Sequence, residues 1–143
     1  EVMQARPDPK LPFYWTIRVY FEDTDAQGLV YFANYLKYGE RARSEWLRQM
    51  DIESGRLAAQ DNLALVVHRI EASYRAAARL DDQLRVESQL TRVQAARFYL
   101  RQDIWRDDSL LFESEVEVVL VDSERQKPLR LPDWMRKRFT ALI

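Results

Sequence analysis

The alternation of hydrophobic and polar positions along this 143-residue chain predicts one strand, a long helix and then four further strands. Within each strand, apolar side chains occur at every second position, which is the spacing of a sheet with one buried face. The positions that share a face are, strand by strand: Trp15, Ile17, Val19 and Phe21; Val66, Ile70, Ala72 and Tyr74; Leu84, Val86, Ser88 and Leu90; Phe98, Leu100 and Ile104; and Phe112, Val116, Val118 and Leu120. Turn-forming residues at Leu80–Gln83 and Asp107–Ser109 predict hairpins.

The predicted helix has apolar residues at the helical period, so that one stripe of its surface faces a core. The stripe consists of Tyr35, Tyr38, Ala42, Trp46 and Met50, widened by Leu36 and Leu47. Gly39 lowers the helix propensity in the middle of this segment, which indicates that another stretch of backbone passes close to it. We expect Asp51–Asn62 to form a loop with about one helical turn, and a short C-terminal helix to start at Pro132.

This order of elements predicts an α+β domain in which one helix covers one face of an antiparallel sheet of about five strands. We expect a single domain over residues 13–143, preceded by an extended arm over residues 1–12, where three prolines exclude regular helix. The other face of the sheet carries many charges together with Tyr99, Trp105 and Val119, and it is therefore a candidate for contact with a second subunit.

Composition narrows the possible chemistry. The 22 basic and 23 acidic residues give a net charge of −1, which excludes nucleic-acid binding through a strongly basic surface. With no cysteine and one histidine, the chain offers no thiolate nucleophile, no disulfide and no histidine-rich metal cluster. Its three glycines exclude a glycine-rich phosphate loop. No apolar run approaches the roughly 20 residues that cross a bilayer, and we expect a cytoplasmic protein.

The segment Glu22–Gly28, EDTDAQG, allows three interpretations. In the first, Asp and Gly serve only the backbone geometry of a strand-to-helix turn, which is the commonest origin of such a pattern. The second, a calcium loop, is excluded because Gln27 and Asn34 are poor ligands at the fifth and twelfth loop positions. In the third, a carboxylate just before a helix start lies beside free backbone N–H groups that polarise a carbonyl. One short stretch then supplies a base or nucleophile and an oxyanion hole.

The residues around this turn carry a more specific pattern. They read FEDTDAQGLVYFANYLKY over Phe21–Tyr38 and ERARSEWLR over Glu40–Arg48. This pattern resembles the signature of the tol-pal-associated acyl-CoA thioesterases, in the 4-hydroxybenzoyl-CoA thioesterase branch of the hotdog-fold superfamily. A looser resemblance continues through Val66–Glu71, Tyr74 and Ala78–Asp82. The resemblance implies a hotdog fold, in which a curved antiparallel sheet wraps a long central helix.

The resemblance also implies roles for individual residues. Asp25, the second aspartate of the D-T-D turn, corresponds to the catalytic carboxylate, and the backbone N–H of Phe32 corresponds to the group that binds the thioester oxygen. Gly28 would let the chain turn closely past the substrate. Many family members have tyrosine at the position of Phe21 and histidine at that of Phe32, but the hydroxybenzoyl-specific members also lack that histidine. We therefore expect the same chemistry here, with a bulkier or more apolar acyl group.

Four further residues are candidates for substrate binding. Tyr31, Asn34 and Tyr35 match the signature and either line the site or pack the start of the helix, packing being the default. His68 falls on the predicted inward face of its strand, where a lone histidine is usually structural. The alternative for His68 is that it assists Asp25 of a partner subunit.

The sequence therefore predicts an acyl-CoA thioesterase that uses no metal and no redox cofactor. Its leaving group is coenzyme A or the pantetheine arm of an acyl carrier protein, and the resemblance implies a homodimer or homotetramer. Two rivals are an acyl-thioester dehydratase, which generally needs a histidine near the acid, and a non-catalytic module that binds acyl thioesters, acyl carrier protein or membrane-associated partners.

We expect Glu40 and Arg43 to form ion pairs. Candidates for contact with coenzyme A phosphates are Arg75, Arg79, Arg97 and Arg130.

Overall fold

The structure, a computed structural model, describes residues 10–143, so most of the predicted arm over residues 1–12 lies outside the described residues. The strands are β1 (Phe13–Arg18), β2 (Leu63–Tyr74), β3 (Gln83–Val93), β4 (Arg97–Arg106) and β5 (Ser109–Asp122). The helices are α1 (Asn34–Gln49), α2 (Ser54–Asp61) and α3 (Asp133–Thr140). The predicted order of one strand, a long helix and four strands is confirmed.

The five strands form one antiparallel sheet in the order β1–β3–β4–β5–β2, and α1 packs across one of its faces. This confirms the predicted α+β architecture. β1 and β2 are the two edge strands, and the sheet is not closed into a barrel. Within residues 10–143, no helix is long and apolar enough to span a bilayer.

Two clusters of buried side chains join the helices to the sheet. Toward the end of α1, Trp46 stacks on Phe139 of α3 with ring centroids 5.8 Å apart, and Phe98 of β4 lies 4.6 Å from Phe139. Toward the start of α1, Tyr35 and Tyr38 are buried against the other end of the sheet. The predicted stripe is thus confirmed except at Leu36, and the short C-terminal helix, with Pro132 as its N-cap, covers one end of the core.

The predicted face of β2 is wrong in its first half, because the strand contains a bulge. Val67 lies opposite Val118 of β5, but Arg69 lies opposite Glu117, so His68 is an extra residue without a partner in the ladder. An extra residue reverses which side chains face the core, since strand side chains alternate.

The consequence is that Val66 and Ile70 lie on opposite faces of the sheet. Leu65 and Ile70 pack against the core, whereas Val66 is exposed. β2 therefore presents a largely exposed outer surface along an open edge.

One of the two predicted hairpins is also wrong. Residues Leu80–Gln83 do form a turn, but it joins β2 to β3, which are separated in the sheet by β4 and β5. The segment over residues 75–82 therefore crosses the end of the sheet instead of folding back on a neighbour. The hairpin at Asp107–Ser109 is confirmed, with Asp107 in the left-handed region at φ 50°.

Three local predictions differ from the structure. Phe21 is not part of β1 but begins a 3₁₀ turn and is 81% exposed, because the chain leaves the sheet at Val19. Leu36, placed in the apolar stripe, is exposed near the start of α1. The segment Asp51–Asn62 contains the eight-residue helix α2, which buries Leu57, instead of a single turn.

A polar network lies where a backbone segment was expected beside Gly39. The buried side chain of Gln102 donates from Nε2 to the Gly39 carbonyl at 3.0 Å and to Ser88 Oγ at 2.9 Å. Its Oε1 accepts a hydrogen bond of 2.8 Å from Arg43. Among the described residues, neither Glu40 nor Arg43 lies within ion-pair distance of an opposite charge, so the ion pairs expected for them are absent there. Burial lowers the pKa of the Arg43 guanidinium.

Candidate active site

The turn that carries Asp25 is closed by backbone hydrogen bonds. The Asp25 N–H donates to Leu29 O at 2.8 Å, and the Gly28 N–H donates to Asp25 O at 3.0 Å. Gly28 has a φ of 75°, which is costly for any residue with a Cβ atom. Backbone geometry therefore explains why glycine occupies this position. That Gly28 lets the chain turn closely past the substrate stays a prediction.

The Asp25 carboxylate is exposed and held at one oxygen. Its Oδ1 accepts hydrogen bonds from the backbone N–H groups of Gln27 at 2.8 Å and Leu29 at 3.2 Å. Within residues 10–143, no group donates to its Oδ2. Two fixed donors orient the carboxylate and leave its second oxygen available to water or substrate.

Asp23 anchors the turn, and sequence reasoning missed it. Its buried carboxylate accepts a hydrogen bond of 2.9 Å from the Tyr20 N–H, which caps the 3₁₀ turn over Phe21–Asp23. Its carbonyl oxygen accepts from the Tyr31 N–H at 2.9 Å and from Asn34 Nδ2 at 2.8 Å. The available signal was the spacing of Tyr20 and Asp23, because Asp commonly bonds the backbone a few residues away in turns.

Two of the predicted site residues are thereby fixed by one carbonyl. Asn34 is buried and its side-chain amide ties α1 to the turn, whereas its predicted contact with substrate stays a prediction. Tyr31 is half-exposed, and its ring lies 4.8 Å from that of Phe32.

Phe32 lies two residues before the start of α1. Among the described residues, its backbone N–H has no hydrogen-bond acceptor, and the residue is 60% exposed. The positive end of the dipole of α1 lies at the same place, which favours negative charge there. This arrangement offers a donor to an oxyanion beside the turn that carries Asp25.

Tyr74, at the end of β2, is a second residue that sequence reasoning did not assign to the site. Its phenol donates a hydrogen bond of 2.9 Å to the Phe32 carbonyl, and the two rings lie 6.3 Å apart. The period-two pattern correctly placed Tyr74 on the inner face but gave no indication of this partner, which is 42 residues away in sequence.

Tyr35 has a structural role that connects the turn to the β2–β3 segment. Its ring stacks on Phe112 with centroids 5.4 Å apart, and its phenol oxygen accepts a hydrogen bond of 2.9 Å from the Ala78 N–H. The Ala78 carbonyl in turn accepts from the Val30 N–H at 2.9 Å. Burial raises the pKa of the Tyr35 phenol above its usual value of 10.0.

His68 does not point into the core and is not brought to the turn within this chain. Its side chain is 64% exposed, with Nδ1 at 3.5 Å from Glu117 on β5. Hydrogen bonding from Arg97 holds the pKa of Glu117 below its usual 4.5, and His68 and Tyr99 act in the same direction. His68 and Tyr74 are six positions apart along β2, a distance of about 20 Å.

The four candidate arginines differ in position. Arg75 and Arg97 form ion pairs with Glu113 and Glu117 on the outer face of the sheet. Arg79 forms a backbone bridge with Leu29, which places it beside the turn. Arg130 is exposed in the segment between β5 and α3.

Comparison with known proteins identifies the family. The model of the thioesterase-like superfamily matches residues 19–139. The chain is 39% identical to the acyl-CoA thioesterase YbgC of Haemophilus influenzae, over 91% of this chain and 96% of that protein. It is 42% identical to the acyl-CoA thioester hydrolase YbgC of an Escherichia coli strain, over 84% of this chain and 90% of that protein.

Solved structures agree with these sequence matches. A probable thioesterase from Bartonella henselae superposes with a TM-score of 0.81 at 37% identity, over 85% of this chain and 99% of that chain. A 1,4-dihydroxy-2-naphthoyl-CoA thioesterase from Synechocystis gives a TM-score of 0.83 at 25% identity, over 90% of this chain and 96% of that chain. The predicted resemblance is confirmed: the chain belongs to the thioesterase-like superfamily and has its hotdog fold.

Proposed function

We propose that this protein hydrolyses acyl-CoA thioesters to the free acid and coenzyme A, with the Asp25 carboxylate as base or nucleophile and the Phe32 N–H as donor to the thioester oxygen. The activity is supported by the names of its relatives, which are acyl-CoA thioesterases and thioester hydrolases. The residue roles rest on one observation: an oriented, exposed carboxylate and a backbone N–H without an acceptor among the described residues lie in the same short segment before α1.

Two routes fit this arrangement. In the first, Asp25 accepts a proton from water, the water oxygen bonds to the carbonyl carbon, and the carbon–sulfur bond breaks to release the coenzyme A thiolate. In the second, Asp25 itself bonds to the carbonyl carbon and releases the thiolate, and water then cleaves the mixed anhydride. In both, the Phe32 N–H stabilises the negative charge that develops on the carbonyl oxygen.

The two routes differ in the first turnover. If the anhydride forms faster than it is cleaved, rapid-quench mixing shows a burst of coenzyme A equal to the number of active sites. With water as the attacking group, acid and coenzyme A are released together, without a burst. The amplitude of a burst also gives the number of active sites in the preparation.

The roles of the residues are tested with Asp25→Asn. The asparagine Oδ1 still accepts the hydrogen bonds from Gln27 and Leu29, so the turn is preserved while the basic, charged oxygen is lost. We expect turnover to fall at least about 100-fold, within the range measured for general bases. Asp108→Asn, at the exposed β4–β5 turn, is the matched control and should retain full activity. Tight acyl-CoA binding without hydrolysis by the wild type would instead favour the binding module.

The acyl group that we propose is bulky or apolar. Phe32, Tyr31 and Tyr74 form a contiguous, partly exposed aromatic surface beside the free Phe32 N–H. A panel of acyl-CoA esters of increasing chain length and of aromatic acyl-CoA esters tests this with Phe32→His. We expect the variant to shift its preference toward smaller, more polar acyl groups, and an unchanged profile would show that the Phe32 side chain does not select the substrate.

The carrier and the assembly are further parts of the proposal. Arg79 lies beside the turn and is the candidate for a contact with coenzyme A phosphates, so Arg79→Gln should raise KM for acyl-CoA more than for an acyl thioester without those phosphates. An acyl carrier protein substrate in place of acyl-CoA tests the alternative carrier.

We further propose that the protein is a homodimer or homotetramer. This assembly is supported by the long, exposed edge strand β2, and light scattering in solution tests it. His68→Ala tests whether His68 assists a partner's site.

A further inference from the structure

The Phe32 N–H lies in a peptide unit whose own carbonyl is hydrogen-bonded and whose two neighbouring peptide units are hydrogen-bonded as well. This unit joins Tyr31 to Phe32. The preceding peptide is held because the Tyr31 N–H donates to the Asp23 carbonyl at 2.9 Å. The following peptide is held because the Phe32 carbonyl accepts a hydrogen bond of 2.9 Å from the phenol of Tyr74. The carbonyl of the unit itself, Tyr31 O, accepts a hydrogen bond of 2.9 Å from the Asn34 N–H. The direction of the Phe32 N–H therefore depends on three hydrogen bonds, and of these only the one from Tyr74 is made by a side chain.

The ring of Tyr74 is itself held in place independently of its hydroxyl. It meets the ring of Phe112 edge-on with centroids 5.0 Å apart and that of Tyr35 at 5.4 Å. Tyr74 is also the last residue of β2, where it pairs with Phe112 in the ladder. A phenylalanine at this position would keep these contacts and lose only the hydrogen bond to Phe32.

The hydroxyl of Tyr74 is a donor throughout the neutral pH range. Burial, and then the nearby Tyr35, raise the pKa of the Tyr74 phenol above its usual 10.0. The Phe32 carbonyl can only accept, so the direction of this hydrogen bond is fixed.

We propose that Tyr74 is a positioning residue, whose hydrogen bond to the Phe32 carbonyl aims the Phe32 N–H at the oxygen of the bound thioester. This inference rests on the proposed function, because it assigns Tyr74 a task in the same site. A preorganised donor stabilises an oxyanion without having to reorient during the reaction, and misplacement of a donor weakens that stabilisation. Tyr74 would thus couple the end of the edge strand β2 to the chemistry at the start of α1.

The first test compares Tyr74→Phe with Tyr99→Phe. Tyr99 is a matched control, since its phenol hydrogen-bonds Glu117 at 3.2 Å on the outer face of the sheet. Complete removal of an oxyanion donor costs about 100- to 1,000-fold in kcat, and we expect a misaimed donor to cost about tenfold, with KM within about threefold of wild type. The control should retain wild-type kcat. A purely structural role would lower the thermal midpoint of Tyr74→Phe without lowering kcat per folded molecule.

The second test observes the hydrogen bond to the substrate. An acyl-CoA labelled with ¹³C at its carbonyl is bound to Asp25→Asn, and difference infrared spectroscopy records the carbonyl stretch. We expect a shift to lower wavenumber relative to free acyl-CoA. Adding Tyr74→Phe should reverse part of that shift, whereas adding Tyr99→Phe should leave it unchanged.

The outcomes separate the inference from the function on which it rests. An inactive wild type, with no carbonyl shift in Asp25→Asn, would overturn the proposed function. An active wild type and a clear shift, both unaltered by Tyr74→Phe, would overturn only the role of Tyr74.

Discussion

Removal of the Tyr35 hydroxyl tests how the β2–β3 segment is held against α1. The phenol oxygen accepts the Ala78 N–H at 2.9 Å, and Ala78 is fully buried. In Tyr35→Phe the ring keeps its stacking on Phe112, but the Ala78 N–H loses its acceptor in a place that water does not reach. The change therefore isolates one buried hydrogen bond.

The expected cost follows from the burial of that donor. An unsatisfied buried donor costs about 1–3 kcal/mol, so we expect the free energy of unfolding to fall by about 2 kcal/mol. For a domain of this size, each kcal/mol lowers the thermal midpoint by about 3 °C, which gives a decrease of about 6 °C. The assay is thermal and urea unfolding followed by circular dichroism, at one protein concentration, because assembly would make the midpoint concentration-dependent.

Tyr14→Phe is the control for Tyr35→Phe. Tyr14 is half-exposed on β1, and its ring contact with the Arg85 guanidinium survives the substitution. We expect its cost to stay within about 0.5 kcal/mol. Equal effects of the two substitutions would refute the argument that the Ala78 N–H depends on Tyr35.

Three further predictions concern other parts of the fold. Gln102→Met removes three hydrogen bonds of the network, with buried Ser88 and Gly39 and with half-buried Arg43, and should lower the unfolding free energy by roughly 3 kcal/mol in urea melts; a loss below about 1 kcal/mol would contradict the network. Gly28→Ala should destabilise by about 1–2 kcal/mol through its positive φ, whereas Gly55→Ala inside α2 should stabilise by up to about 1 kcal/mol; the same sign for both would be inconsistent with this explanation. Burial raises the pKa of Asp82, but hydrogen bonds from Arg106 and from the Arg79 N–H outweigh burial and leave the pKa below its usual 3.8. The ionised Asp82 carboxylate therefore contributes its full stabilisation of the folded state above pH 3.8, and this contribution is lost as the pH falls through the lower, folded-state pKa. Asp82→Asn should therefore flatten the loss of stability in acid melts below about pH 5, and an unaltered profile would count against it.

The candidate site could be located from sequence because its parts are close together in the chain. Asp25, Gly28 and Phe32 lie within eight residues, and turn chemistry, the helix start and the family resemblance all point to the same segment. The same local signals correctly predicted α1.

The remaining features depend on contacts between distant segments. The bulge at His68 is set by how β2 pairs with β5, and period-two patterns carry no information on an inserted residue. The hydrogen bonds of Tyr74 to Phe32 and of Tyr35 to Ala78 each join positions more than 40 residues apart. The turn at Leu80–Gln83 was visible, but its partner strands were not, because turn residues do not determine the order of strands in the sheet.

The most direct test of the central claim is to measure binding and single-turnover hydrolysis of one acyl-CoA by wild type and Asp25→Asn, side by side. The account predicts that both proteins bind the substrate with affinities within about tenfold, because the turn and its hydrogen bonds persist in the variant. It predicts that only the wild type releases coenzyme A at an appreciable rate, with the variant at least about 100-fold slower. Equal rates of coenzyme A release by the two proteins would contradict the assignment of Asp25 as the reacting carboxylate.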